Sequence, residues 1–230
     1  MIETILRLAE DNLTYVEALV SDIEDSQMAQ QPGGLVNHPA WTLGHLVVSQ
    51  DFALQLLEAP SAADPSWVRL FGSGGTPTDD RLNFPAKTEL LTALRMEHDK
   101  VANAFRENFE RRASATNPFA PLVPRFPTIG DLVMHLMTTH EASHLGQLSA
   151  WRRAQGMPAV SVVPKSAVEI KPDTPLVASG EKEVAEPVKA AAATKATTKP
   201  APTPATSVPA PVAEEREMTI APEAPIVVTD

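Results

Sequence analysis

The chain has 230 residues, no cysteine and a formal net charge of -10. That length allows one ordinary domain with chain to spare, and the missing cysteines exclude disulfides, thiolate metal sites and cysteine nucleophiles. The negative charge argues against a nucleic-acid partner, and no run of about 20 apolar residues is present to span a bilayer.

The first stretch, MIETILRLAEDN, lacks the basic start and apolar centre of a signal peptide, so the cytoplasm is the expected location. Ile2, Ile5, Leu6, Leu13, Val16, Leu19, Val20 and Ile23 recur at helical spacing with acidic residues between them, predicting a first helix over 2–26. Pro32-Gly33-Gly34 marks a break. A second helix is predicted over 39–58, with Pro39 in its first turn and Asn37 placed to cap it. Trp41, His45, Val48, Phe52 and Leu56 share one face of it. Residues 59–84 read as a long loop holding Trp67, a residue better suited to anchoring the loop than to forming a lid. A third helix is predicted over 86–112, with Leu90, Leu91, Leu94, Val101, Ala104, Phe105 and Phe109 as its stripe. A loop with four prolines follows over 113–127. The fourth helix is predicted over 128–156, opened by a capping box of Thr128 and Asp131 and closed by Gly156-Met157-Pro158.

Four long helices with polar outer faces and no strand pattern predict an all-α fold, an antiparallel four-helix bundle over residues 1–160. Beyond Trp151 there is no Phe, Trp or Tyr, and residues 164–230 hold 11 of the 22 prolines. Stretches such as KAAAATKATTKPAPTPATSVPAPVA cannot bury enough apolar surface to offset ordering entropy. Residues 161–230 are therefore expected to be a disordered, low-complexity tail rich in Pro and Ala.

The stretch HEASH at 140–144 has the form H-E-x-x-H, the pattern of zinc proteases. On a helix turning about 100° per residue, His140 and His144 point within about 40° of each other, close enough for both to reach one ion at ~2.1 Å. His135 lies about 140° around from His140 and cannot join them on an undistorted helix. His98, in RMEHDK, sits among charges and is expected to be exposed; His38 precedes Pro39 with no preferred direction. His45 lies on the apolar face of the second helix, where an unpartnered imidazole costs a few kcal/mol. A metal shared with His140 and His144 would satisfy it, and so would a carbonyl or a water. Periodicity and spacing leave these readings open.

HPAWTLGHL at 38–46 and HEASHLGQLSAWRRAQGMP at 140–158 together resemble the second-helix and fourth-helix motifs of the DinB-like superfamily. The resemblance covers residues 1–160. It implies a four-helix bundle holding a divalent metal ion on His45, His140 and His144, with zinc, nickel, iron and manganese all compatible with imidazole and water ligands. It also implies homodimers and a small-molecule substrate. Some members are transferases or isomerases that act with a low-molecular-weight thiol; in a chain without cysteine the thiolate must arrive with the substrate. Ser143 stands where members often carry a further histidine that is not a ligand. A non-catalytic module stapled by the metal is the alternative, and a metal-dependent hydrolase a more remote one. Proteolysis is disfavoured: no histidine follows His144, and Glu141 is expected to pair with another side chain or to orient a ligand. Gln147 is expected either to orient a bound ligand or to pack against a neighbouring helix. Arg152 and Arg153 are expected either to meet an anionic substrate or to complement the helix dipole.

Overall fold

The computed structural model describes residues 1–61 and 63–161; the tail expected over 161–230 lies almost wholly outside them. The described residues are all-α, with no strand and one isolated bridge between Thr116 and Thr128. Helix α1 (Ile2–Val20) buries Leu6, Ala9, Val16, Leu19 and Val20. It stops well short of residue 26. Ile23 is buried, but from the irregular segment after the turn at Ser21 and Asp22, and side chains nearby are engaged elsewhere. Asp22 takes the Arg152 guanidinium, while Asp25 accepts from the Lys87 amide at 2.8 Å and from Arg81 at 2.6 Å. Short polar side chains with such partners outweigh the apolar period.

Helix α2 (Pro39–Leu56) is buried at 14 of its 18 positions, so it is the central element and has no polar outer face. Its cap is His38, whose Nδ1 accepts from the Trp41 amide at 3.2 Å. The expected cap, Asn37, instead donates to Gln147. The expected long loop contains a short helix, α3 (Pro65–Phe71), capped by Asp64, and a 3₁₀ turn over Arg81–Asn83. The fully buried Phe71 ring lies against Gly44 of α2, so close that a Cβ at Gly44 would overlap it. Trp67 packs edge-on to the same ring at 5.3 Å, anchoring α3.

Helix α4 (Lys87–Arg112) lies along α2 and buries Leu90, Leu94, His98, Val101, Ala104, Phe105 and Phe109. His98 belongs to this stripe, contrary to the exposure expected from its charged neighbours. The last long segment starts with the predicted Thr128–Asp131 capping box. It runs as α5 (Ile129–His135), a π-helical turn (Leu136–His140) and α6 (Glu141–Ala154), then ends at Gly156, whose φ of +71° suits glycine.

Two apolar clusters form the core. Val16, Leu43, Leu46, Phe71, Leu145 and Trp151 belong to one, and Leu54, Leu57, Phe105, Phe109, Leu132 and Val133 to the other. Each long segment changes cluster at a polar residue: Asn12 on α1, Gln50 on α2, His98 on α4 and Glu141 at the start of α6. These four side chains meet one another. The Glu141 carboxylate accepts from His98 Nε2 at 2.8 Å, from Asn12 Nδ2 at 3.1 Å and from Gln50 Nε2. Such a charge is tolerated inside a protein only because its oxygens are hydrogen-bonded. The candidate site sits beside this polar layer, because Glu141 directly follows His140.

Candidate metal centre

His45 projects from the middle of α2. Its Nδ1 lies 2.7 Å from the Phe71 carbonyl, which can only accept, so Nδ1 carries the proton and Nε2 keeps its lone pair. Trp41, one turn earlier, stacks on the ring at 4.6 Å and 10°, as core rather than as cavity wall. His144 is held in the same tautomer. Its Nδ1 donates to Gln147 Oε1 at 3.0 Å, and that oxygen also accepts from Asn37 Nδ2 at 3.0 Å. Gln147 thus orients the histidine, a role between the two expected for it.

His140 Nε2 lies 3.2 Å from both His45 Nε2 and His144 Nε2, and the three nitrogens lie within 4.8 Å of one another. Ligands at ~2.1 Å from one ion are about 3.0 Å apart at right angles and about 3.4 Å apart in a tetrahedron, so the two measured edges fall within that interval. Without a cation the lone pairs are not all satisfied: His45 and His144 have none of their Nε2 protons to offer, and His140 can donate to one of them only. The residues present therefore fit a single divalent ion. His140 Nδ1 is buried with no acceptor, leaving this ring oriented by packing.

Burial, followed by the mutual proximity of the rings, pushes His140 down to about 2 and His144 down to about 4. Burial also lowers His45, opposed by its bond to the Phe71 carbonyl. All three are neutral near pH 7, the form that binds metal.

The π-helical turn brings a fourth imidazole close. A π-helical turn adds a residue to the α-helical repeat, so residues five apart approach each other. The rings of His135 and His140 are 5.8 Å apart, edge to face, although a regular helix would separate them. His135 Nδ1 is engaged with Thr139 Oγ1 at 2.6 Å, and its ring stacks on Phe126 at 4.4 Å. It stands beside the group of three without joining it. Asn12 holds this turn from α1, donating to the Thr138 carbonyl at 3.0 Å as well as to Glu141.

His45 and His140 face a cavity of about 430 Å³ whose other walls are mainly apolar, with Phe52, Leu132, Leu136 and His135 among them. Arg152 and Arg153 are not part of it. Arg152 is 2 % exposed and spans Asp22, the Leu19 carbonyl at 2.8 Å and the Pro158 carbonyl at 3.1 Å; Arg153 is exposed beside Ser149. Glu141 is directed into the polar layer, as a paired carboxylate. No helix among the described residues is long and apolar enough to cross a membrane.

A family model described as the DinB superfamily matches residues 8–148. Neither the curated proteins nor the solved structures contain a significant match.

Proposed function

Because the chain belongs to the DinB superfamily, we propose that it is a divalent-metal-dependent enzyme whose ion is held by His45, His140 and His144. The proposed reaction is transfer or isomerisation with a low-molecular-weight thiol, on a small-molecule substrate. The four long segments are read as the antiparallel four-helix bundle of that superfamily; the packing of α2 on α4, and of α1 on both α4 and α6, supports this.

One observation carries the reading: imidazole nitrogens whose protons are held on the far side of two rings converge at the edge of an apolar cavity. A divalent cation there would supply Lewis-acid chemistry, lowering the pKa of a thiol or water that it binds. The chain itself supplies position and dryness. Phe71 and Gln147 fix two ring orientations, Trp41 covers the face of His45, and the apolar walls exclude water from the reacting groups. With no cysteine in the sequence, the sulfur nucleophile comes from outside. The cavity also favours an open centre over a closed staple, since His45 and His140 both line it. Glu141, buried and accepting from three helices, is committed to the polar layer and does not line the cavity, which argues against the general-base role of a zinc protease.

The test is elemental analysis of the purified chain, then thiol-transfer and hydrolysis assays with the metal found. About one ion per chain and thiol-dependent turnover are expected, both lost in His140→Ala with helical content retained. Full metal content in that variant would sink the assignment.

A further inference from the structure

The four-proline loop takes no part in holding the three imidazoles, yet it builds one wall of the cavity they face. Pro118, Pro121, Pro124 and Pro127 recur every third residue, each restricting the backbone. Asn117, 2 % exposed, ties the two ends together. Its Nδ2 donates to the Phe126 carbonyl at 2.9 Å, its amide donates to the Pro127 carbonyl at 3.0 Å, and its Oδ1 accepts from the Phe119 amide at 2.9 Å. A loop stiffened in this way holds its side chains in place before any ligand arrives. Those it presents to the cavity are Phe119, Leu122, Arg125 and Phe126.

Arg125 gives the wall its charge. Its guanidinium carbon lies 5.0 Å above the Phe126 ring, and among the described residues it forms no ion pair with a carboxylate. The acidic residue of the lining, Asp51, is already engaged by Ser61 Oγ at 2.8 Å, Gln55 Nε2 at 2.8 Å and the Ala63 amide at 3.1 Å. From the imidazole centre to Arg125 the wall is continuous. His140 meets His135 at 5.8 Å, His135 stacks on Phe126 at 4.4 Å, and Phe126 carries Arg125. The remaining sides, with Phe52, Leu132 and Leu136, offer mainly hydrocarbon, interrupted by the neutral polar side chains of Ser49, Gln55 and Ser73.

We infer that this cavity binds an apolar monocarboxylic acid, its carboxylate on Arg125 and its hydrocarbon or aryl body along Phe126 and His135 toward His140. A single guanidinium in an apolar wall matches a single carboxylate, whereas a phosphate dianion needs several donors. The acid is thereby assigned as the small-molecule substrate of the proposed reaction. In that respect the inference rests on the proposed function, but binding of the acid requires no metal.

The experiment is calorimetric titration of the full chain, first with chelator and then with zinc, using octanoate, butyrate, 1-octanol and octylammonium. Octanoate is expected to bind in both conditions, more than tenfold tighter than butyrate, as about four buried methylenes require. It should also exceed 1-octanol and octylammonium. Arg125→Gln, at an exposed position, should weaken octanoate about tenfold and leave 1-octanol unchanged. Leu122→Asp should weaken both. Equal binding of octanoate and 1-octanol, or no effect of Arg125→Gln, overturns the inference. So does octanoate binding that needs zinc and ignores Arg125→Gln, because the ion would then be taking the carboxylate. Zinc binding without octanoate binding removes this inference alone; Arg125-dependent octanoate binding without zinc binding supports it while removing the enzymatic reading.

Discussion

Glu141 Oε1 accepts a hydrogen bond from His98 Nε2 at 2.8 Å, with both side chains under 10 % exposed. Burial is the largest influence on His98 and lowers its pKa, but the bond to Glu141 and the charges of Glu141, Glu10 and Asp99 together raise it above the ordinary value. A raised folded-state pKa contributes stability that is complete below the unfolded value of 6.5 and is lost as pH rises through the folded value. The histidines with depressed pKa, His38, His45, His135, His140 and His144, act on the other side, below 6.5. Urea denaturation of the wild type should therefore show stability falling with pH above 6.5. In Glu141→Gln that slope should disappear, with an overall loss of about 3 kcal/mol from donors left unpaired. An unchanged slope would mean that His98 is neutral when paired.

Gly44→Ala should damage the site from a distance. The added methyl would overlap the Phe71 ring, and the Phe71 carbonyl is the acceptor that orients His45. Overpacking of this kind costs about 1–3 kcal/mol, and loss of an orienting partner costs about 10- to 100-fold in metal affinity. Gly146→Ala, on the exposed side of α6 where a Cβ meets nothing, is the control. It should gain up to about 1 kcal/mol and leave affinity unchanged. Thermal melts and competition with a chromophoric chelator measure both.

The four long helical segments were legible because apolar residues at helical spacing, Pro39 and the Thr128 capping box are local signals. The three imidazoles were legible only in part. Spacing paired His140 with His144, while His45 joined them through its place on α2 and the family resemblance. What escaped depends on contacts between distant segments. The acceptor for His45 is a backbone carbonyl 26 residues away, and backbone groups leave no mark in a sequence. The π-helical turn is held from α1 by Asn12, a distant contact, so local periodicity predicts a regular helix that keeps His135 away from His140. The exposure expected for His98 is wrong although its position carries the clue: it falls four residues after Leu94 and three before Val101, on the buried stripe. The charges around it occupy the other faces of the same turn. Likewise an anionic substrate and the helix dipole are the partners expected for Arg152, and only the fold brings Asp22 of a distant segment beside it.

Gln147→Leu should separate orientation from stability. Gln147 is exposed, and its oxygen serves His144 and Asn37. Removing it frees the His144 tautomer with little change to the core. The expected result is metal affinity lower by about 10- to 100-fold, with a melting temperature of the metal-free protein within a degree or two of wild type. Gln147→Glu, which keeps an acceptor for the Nδ1 proton, should restore most of the affinity. A large fall in stability without metal would show instead that the Asn37–Gln147 contact holds the entry of α2 against α6.

Metal addition should raise the melting temperature by mass action, since the three nitrogens converge only in the folded chain. At a free ion concentration of about 100 times Kd the gain is about 2.7 kcal/mol, and chelator should reverse it. His45→Ala and His140→Ala should each abolish the shift. His135→Ala should keep it, because that imidazole is engaged with Thr139 and lies outside the converging group. If His135→Ala also lost the shift, the π-helical turn would be supplying a fourth ligand. The centre would then be closed on the side that faces the cavity, and the stapled, non-catalytic reading would replace the enzymatic one.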